Sequence, residues 1–140
     1  MGASYDASVP DPLELANGTH VLHLFFRVYG SNDPVDGSAV TLAVKRAETD
    51  GVQVVPVALV GHKADLGVMA LGPDLWRLRR LQSDLQASGA ELVDSYISIT
   101  EVSEYAKGMP TEALQARLYP VLPPEGKRAF CFYPMSKRRG

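Results

Sequence analysis

The sequence lacks the features that mark several large classes of protein. Cys131 is the single cysteine, so neither an intramolecular disulfide nor a metal site built from cysteine alone can form. Between Phe130 and Phe132 it is expected to pack as a small apolar side chain. No basic stretch followed by an apolar segment opens the chain, and no apolar run approaches the length of a membrane span. We therefore predict a cytoplasmic protein without a membrane span.

Signatures of nucleotide and metal binding are also missing. The sequence contains no P-loop, no GxGxxG motif and no characteristic metal-ligand spacing. A net charge of −2 over 140 residues is not that of a general polyanion binder, and we predict no nucleic-acid partner. The charge is uneven, because six basic residues and one acid, Glu125, lie between Arg117 and Arg139. This asymmetry favours a local anionic partner, with a merely solvated basic end as the alternative.

Four segments have the composition and alternation of β-strands. They are HVLHLFFRVY (20–29), VQVVPVALV (52–60), DLGVMAL (65–71) and SYISITEV (95–102). In the first strand Leu22, Leu24 and Phe26 are predicted to form the buried face. Pro56 cannot donate a ladder hydrogen bond, so the second strand is predicted to lie at an edge or to carry a bulge.

Two helices are predicted between these strands. Ser38 is a plausible N-cap of the first helix, which Gly51 terminates. The second helix is predicted from about Pro73 to Ser88, with a leucine stripe as its buried face. The order β-α-β-β-α-β predicts an α+β, ferredoxin-like domain with an antiparallel sheet.

This pattern divides the chain into three regions. Residues 1–18 are predicted to form a flexible N-terminal arm, and residues 19–105 the ferredoxin-like domain. Residues 106–140 contain a linker (AKGMPTEAL), a loop and the strand-like run RAFCFYP. A single strand after a completed unit predicts the first strand of a second repeat.

Chemically capable residues gather toward the carboxyl end. Arg117 offers a planar fork suited to carboxylates, and Lys137 is a compact cation. Tyr133 carries an oxidisable phenol, and Met135 follows it closely. This set suits an anionic, partly aromatic ligand. The alternative, which composition alone favours, is that Tyr133 caps a strand end and the cations are solvated.

The stretches RLYPVLPPEGK and FCFYPMSKRRG closely resemble the chlorite-dismutase superfamily, and in particular its coproheme decarboxylase branch. The likeness extends upstream through GHKADL (61–66) and SYISITEVSEY (95–105), and covers roughly residues 50 to 140. The resemblance implies a dimeric α+β barrel type of fold and a pentameric homo-oligomer. It also implies a porphyrin substrate, iron coproporphyrin III (coproheme). In the implied reaction, hydrogen peroxide converts two propionates of this substrate to vinyl groups, which gives heme b.

The resemblance further implies roles for individual residues. Tyr133 corresponds to the redox-active tyrosine beside the reacting propionate, and Lys137 to a propionate-binding lysine that assists the second decarboxylation. Arg117 corresponds to a propionate-anchoring arginine, and Met135 to a residue at the porphyrin edge. Residues 106–140 would thus include the propionate-binding loop.

No iron ligand is assigned in this sequence. His20, His23 and His62 lie in the part of the chain that is expected to be away from the heme face, and packing or solvation explains each of them. The family pattern places the axial histidine in a second half, beyond Gly140. We therefore expect this chain to be the N-terminal part of a longer enzyme, and we expect the chain alone to be inactive. Two alternatives stay open: a chlorite dismutase-like heme enzyme, and a non-catalytic ferredoxin-like assembly or binding domain.

Overall fold

The computed structural model of the chain describes residues 10–29, 34–61 and 63–138. Within these ranges the predicted order is observed: β1 (His20–Arg27), α1 (Gly37–Thr49), β2 (Gln53–Ala58), β3 (Leu66–Gly72), α2 (Leu75–Ala87) and β4 (Glu91–Ile99). A 3₁₀ turn (Glu104–Ala106) and a short helix, α3 (Thr111–Leu118), follow. The α+β, ferredoxin-like class is confirmed.

The four strands form one antiparallel sheet in the order β2-β3-β1-β4. In the central strand β1, Leu24 is paired with Val68 of β3 on one side and with Ser95 of β4 on the other. Pro56 lies on β2, an outer strand of this sheet, as its missing N–H predicted. The register of β4 turns Tyr96 to the same face as His23.

Helices α1 and α2 cover one face of the sheet and close the core. Leu24, Phe26 and Leu85 are fully buried there, with 0% exposure. Burying such side chains is worth about 1.5–3 kcal/mol each relative to leaving them in water, so this face supplies most of the apolar stabilisation. The predicted leucine stripe of α2 is confirmed at Leu78, Leu81 and Leu85, and α1 buries Ala43 and Ala47.

The start of each helix is set by an aspartate. Asp36, and not Ser38, is the N-cap of α1: its carboxylate accepts hydrogen bonds from the N–H groups of Ser38 and Ala39. Asp36 satisfies two amides of the first turn at once, which explains why it takes the position. Helix α2 begins at Leu75, because Asp74 caps it by accepting from Trp76 N–H.

The end of the chain departs furthest from the sequence-based expectation. RAFCFYP (128–134) forms no strand, because it lies across a face of the sheet and not along an edge where a ladder could extend. Part of the predicted linker AKGMPTEAL is helical, since α3 begins at Thr111. Upstream, Leu13 N–H donates to the carboxylate of Asp74, and the Leu13 carbonyl accepts from Leu75 N–H. Residues 1–9 lie outside the described ranges. The boundaries of the predicted regions stay predictions.

Candidate functional site

The sheet face away from the helices, here called the open face, carries Val21, His23 and Phe25 of β1. Residues 119–138, here called the C-terminal segment, cross it. The segment first meets β2, where Gln53 bonds to Pro120 and Leu122. It then passes Val55 and Met69 of β2 and β3, and reaches β1 and β4 at Phe130 and Phe132. The segment therefore meets the strands in their order in the sheet.

An aromatic cluster holds the segment against β1 and β4. The ring centroid of Phe132 lies 4.5 Å from that of His23, 5.3 Å from that of Phe25 and 5.1 Å from that of Tyr96. Phe130 adds a second contact with His23, at 6.1 Å. These separations are in the favourable range for tilted aromatic pairs. Phe132 is thus the main anchor of this stretch.

Side chains alternate along the stretch that follows the first anchor. Phe130 and Phe132 contact the sheet, whereas Cys131 is exposed, so the expectation that Cys131 packs as an apolar side chain is wrong. Tyr133 is 70% exposed and Met135 is 86% exposed. An extended backbone sends successive side chains to opposite sides, and the anchoring of Phe132 therefore directs the phenol of Tyr133 away from the sheet.

Lys137 lies near an aromatic residue that sequence reasoning did not single out. Its Nζ is 6.0 Å from the ring centroid of Tyr105, at the limit of a cation–π contact. Tyr105 belongs to the 3₁₀ turn and is 88% exposed. The motif SEY was part of the resemblance, but nothing in the sequence indicated that its tyrosine meets Lys137. Tyr105 is therefore a further candidate residue of the site.

Arg117 lies in the last turn of α3, and its side chain is exposed. The end of this helix is fixed to residues that flank β4 and β1: Thr100 Oγ1 donates to the carbonyl of Leu118 at 2.7 Å, and Gly18 N–H donates to Tyr119 Oη at 3.0 Å. Among the described hydrogen bonds and ion pairs, none joins Arg117 to Tyr133 or Lys137. Tyr133, Met135 and Lys137 thus lie on one stretch of the segment, whereas Arg117 lies on the helix that precedes the segment.

The described histidines are engaged within the domain. His20 is buried, and its Nδ1 lies 3.1 Å from the carbonyl oxygen of Pro73. His23 lies under the rings of Phe130 and Phe132, with a buried Nδ1 that has no hydrogen-bond partner among the described residues. Burial lowers the pKa of His23 below its usual value. His62 lies outside the described residues.

A groove of about 440 Å³ lies beside the aromatic cluster. Aromatic and aliphatic side chains form much of its wall, including Phe25, Tyr96, Phe130 and Phe132, with Lys63 and Asp94 as charged members. Tyr133 does not line this groove, and its side chain is exposed. The candidate site is therefore the outward side of the segment.

The charged and polar side chains of this site suit one part of a heme. Exposed cations and a phenol suit the carboxylate-bearing edge of a tetrapyrrole, and Met135 offers apolar contact. Within the described ranges, no three His, Cys, Asp or Glu side chains lie close enough together to hold a metal ion. An iron ligand is not available from His20 or His23 as they are packed. The described residues therefore suit the carboxylate-bearing edge of a heme but offer no histidine to its iron.

In the part of the chain that the structure describes, no helix is both long and apolar enough to cross a membrane.

Proteins of two other organisms are similar in sequence to this chain. A protein of Natronomonas pharaonis whose name proposes heme binding is 40% identical over 99 residues, covering 59% of this chain and 16% of the relative. A similarly named protein of Haloarcula marismortui is 35% identical over 109 residues, covering 66% of this chain and 16% of the relative. The chain thus spans 16% of the length of each of these relatives.

A solved structure of a heme-binding protein from Thermus thermophilus is similar to this chain with a TM-score of 0.48 and 24% identity. The match covers 67% of this chain and 44% of that one. The family model for chlorite dismutase matches residues 37–140. This range includes both helices that cover the sheet, the aromatic cluster's anchors and the four site residues predicted from the sequence. The chain belongs to the chlorite dismutase family.

Proposed function

We propose that this chain supplies the propionate-binding and electron-donating side of a coproheme decarboxylase. This enzyme of heme biosynthesis would use hydrogen peroxide to convert two propionates of iron coproporphyrin III to vinyl groups, releasing carbon dioxide and yielding heme b. The observation that carries the proposal is the outward side of the C-terminal segment, where Tyr133 and Met135 are 70% and 86% exposed and Lys137 follows.

Each of these residues has a role that its chemistry suits. Arg117 and Lys137 would pair with propionates, and such charge-assisted hydrogen bonds are stronger than neutral ones. Tyr133 would give up an electron and its phenolic proton beside the reacting propionate. The iron porphyrin, when bound, supplies the oxidising power that peroxide generates. Met135 would contact the apolar edge of the macrocycle.

The reaction needs an iron ligand from outside the described residues. The chain spans 16% of the length of its relatives, so we assign the activity to the polypeptide or assembly that also supplies the axial histidine. We propose a homo-oligomer, a pentamer, as its assembly and the cytoplasm as its compartment. The 140-residue chain alone should bind coproheme weakly, by pairing its cations with the carboxylates of coproheme.

A spectral titration tests the binding half of the proposal. Adding iron coproporphyrin III, with four carboxylates, to the chain should shift the porphyrin absorbance band, and heme b, with two, should bind less tightly. Changing Arg117 and Lys137 together to Ala should weaken coproheme binding by at least about tenfold, because two charged hydrogen bonds are lost.

The matched control changes two exposed cations on the helices, Lys45 and Arg79, to Ala. It lowers the net charge equally and should leave the affinity within about twofold, since exposed charges away from the site act weakly. Equal loss of affinity in both double variants would show that only overall charge matters, and would contradict a propionate site.

The catalytic half of the proposal depends on Tyr133. In the enzyme that carries the iron ligand, Tyr133→Phe should abolish peroxide-dependent formation of heme b and leave coproheme affinity nearly unchanged, because only the oxidisable hydroxyl is removed. Product is measured by chromatography of the extracted porphyrins. Normal conversion by Tyr133→Phe would refute the role of this residue.

Chlorite dismutation is the second candidate, because the matching family model bears that name. Oxygen release from chlorite by the complete enzyme, without conversion of coproheme, would favour it. A complete enzyme that gives no porphyrin band shift would instead favour a non-catalytic assembly or binding domain.

A further inference from the structure

Gln53 of the outer strand β2 makes two hydrogen bonds to a distant part of the chain. Its side-chain Nε2 donates to the carbonyl of Pro120 at 2.8 Å, and its Oε1 accepts from the N–H of Leu122 at 2.9 Å. Both contacts are partly buried and join residues 67 and 69 positions apart. One amide therefore satisfies a carbonyl and an N–H two residues apart, as a neighbouring strand would.

The sequence of this stretch explains why a side chain takes that role. In YPVLPPEGK, Pro120, Pro123 and Pro124 have no N–H to donate, so the stretch cannot extend the sheet by a regular ladder. The N–H of Leu122 lies between these prolines and still needs a partner when partly buried. The amide of Gln53 provides both a donor and an acceptor without requiring a continuous strand.

The two bonds also occupy a critical position along the segment. Upstream, the anchors at Leu118 and Tyr119 hold the end of α3, which carries Arg117. Downstream, the next anchor is the aromatic contact of Phe130. Among the described hydrogen bonds, those of Gln53 are the ones that join residues 120–130 to the sheet.

We propose that Gln53 is a positioning residue for the tetrapyrrole site: by fixing Pro120 and Leu122 on β2, it sets the path of the C-terminal segment between α3, which carries Arg117, and Tyr133. This inference rests on the proposed function. Gln53 itself does not contact the ligand, and it acts through the segment it holds.

Two substitutions separate the hydrogen bonds from the volume of the side chain. Gln53→Met keeps the length but removes both bonds, and should speed amide exchange of Leu122 about tenfold and weaken coproheme binding by about fivefold to tenfold. The matched control Gln86→Met, on the exposed side of α2, should change neither quantity.

Gln53→Glu provides a signature that packing alone cannot give. Near pH 7.5 its carboxylate accepts from Leu122 but repels the carbonyl of Pro120, so binding should be weak. A glutamate has an ordinary pKa of about 4.3. As the pH falls to about 5, a growing fraction of the introduced carboxylates is protonated and can donate to the carbonyl of Pro120. The ratio of variant to wild-type affinity should therefore rise as the pH falls, with wild type measured at each pH to account for the propionates.

The outcomes distinguish the inference from the function on which it rests. A wild-type chain that gives no band shift with iron coproporphyrin III overturns the proposed function, and the ligand part of the inference with it. If wild type binds and Gln53→Met binds equally well, only the positioning role is overturned. An affinity ratio for Gln53→Glu that does not change with pH would also overturn it, because restored donation to Pro120 is the mechanism proposed.

Discussion

The two faces of the sheet are built in different ways. On the helix side, α1 and α2 close a core in which Leu24, Phe26 and Leu85 have 0% exposure. On the open face, a segment without regular structure is held by one amide and a few rings, beside a groove of about 440 Å³. The main core of this domain and its candidate chemistry therefore lie on opposite faces of the sheet.

The largest expected effect lies in the helix-side core. Leu85→Ala should lower the free energy of unfolding by about 2–5 kcal/mol, because it leaves a cavity among fully buried side chains. The control Leu42→Ala makes the same change on α1 at a residue that is 67% exposed, and should cost less than about 1 kcal/mol. Urea unfolding measures both. Similar losses in the two variants would contradict the assignment of the core to this face.

A smaller effect is expected for the anchor of the open face. Phe132→Ala should cost about 1–2 kcal/mol, since it removes contacts with three rings from a partly exposed side chain. It should also speed tryptic cleavage after Arg128, because the stretch loses its main contact with the sheet. Tyr133→Ala, one residue further on, serves as the control and should leave both unfolding and cleavage nearly unchanged. Faster cleavage in Tyr133→Ala alone would reverse the alternation described for this segment.

The smallest expected effect is a loss of folding stability at acidic pH. Burial lowers the pKa of His23 below its ordinary value of 6.5, so the folded chain takes up this proton less readily than the unfolded chain. This group therefore makes stability fall as the pH decreases from 6.5 toward the folded pKa, and contributes no pH dependence above that range. The loss of stability from pH 7.5 to about pH 5.5 should be smaller in His23→Phe than in wild type, by urea unfolding at each pH.

An NMR titration of the imidazole is the direct check. Its midpoint in the folded chain should lie below that of His23 in the chain unfolded in urea. Equal midpoints would mean that the rings of Phe130 and Phe132 do not shield His23 from water.

Much of the helix-side face could be predicted from the sequence. Alternation in β1 identified Leu22, Leu24 and Phe26, because one residue in two of such a strand must face the core. The missing N–H of Pro56 indicated an outer strand for a similarly local reason. Local stereochemistry was enough to predict which side chains are buried wherever they pack against another helix or strand.

The open face could not be predicted in the same way, because its contacts join residues that are far apart in sequence. RAFCFYP has the composition of a strand, yet a strand also needs an edge partner, and this stretch lies on a face. Gln53 resembles an ordinary polar residue of an outer strand until Pro120 and Leu122 are found beside it. The roles of Tyr133, Lys137, Arg117 and Met135 came from family resemblance, and they stay predictions.

The alternation that follows Phe130 has a consequence for how this region could change by mutation. Replacing a residue between Leu122 and Phe130 changes only the side chain at that position. Deleting a residue there shifts every later residue by one position along the segment. The parity of the stretch would invert, so that Tyr133 would turn toward His23 and Phe132 toward solvent. The spacing from the Gln53 contacts to the first aromatic anchor should therefore tolerate substitution far better than insertion or deletion.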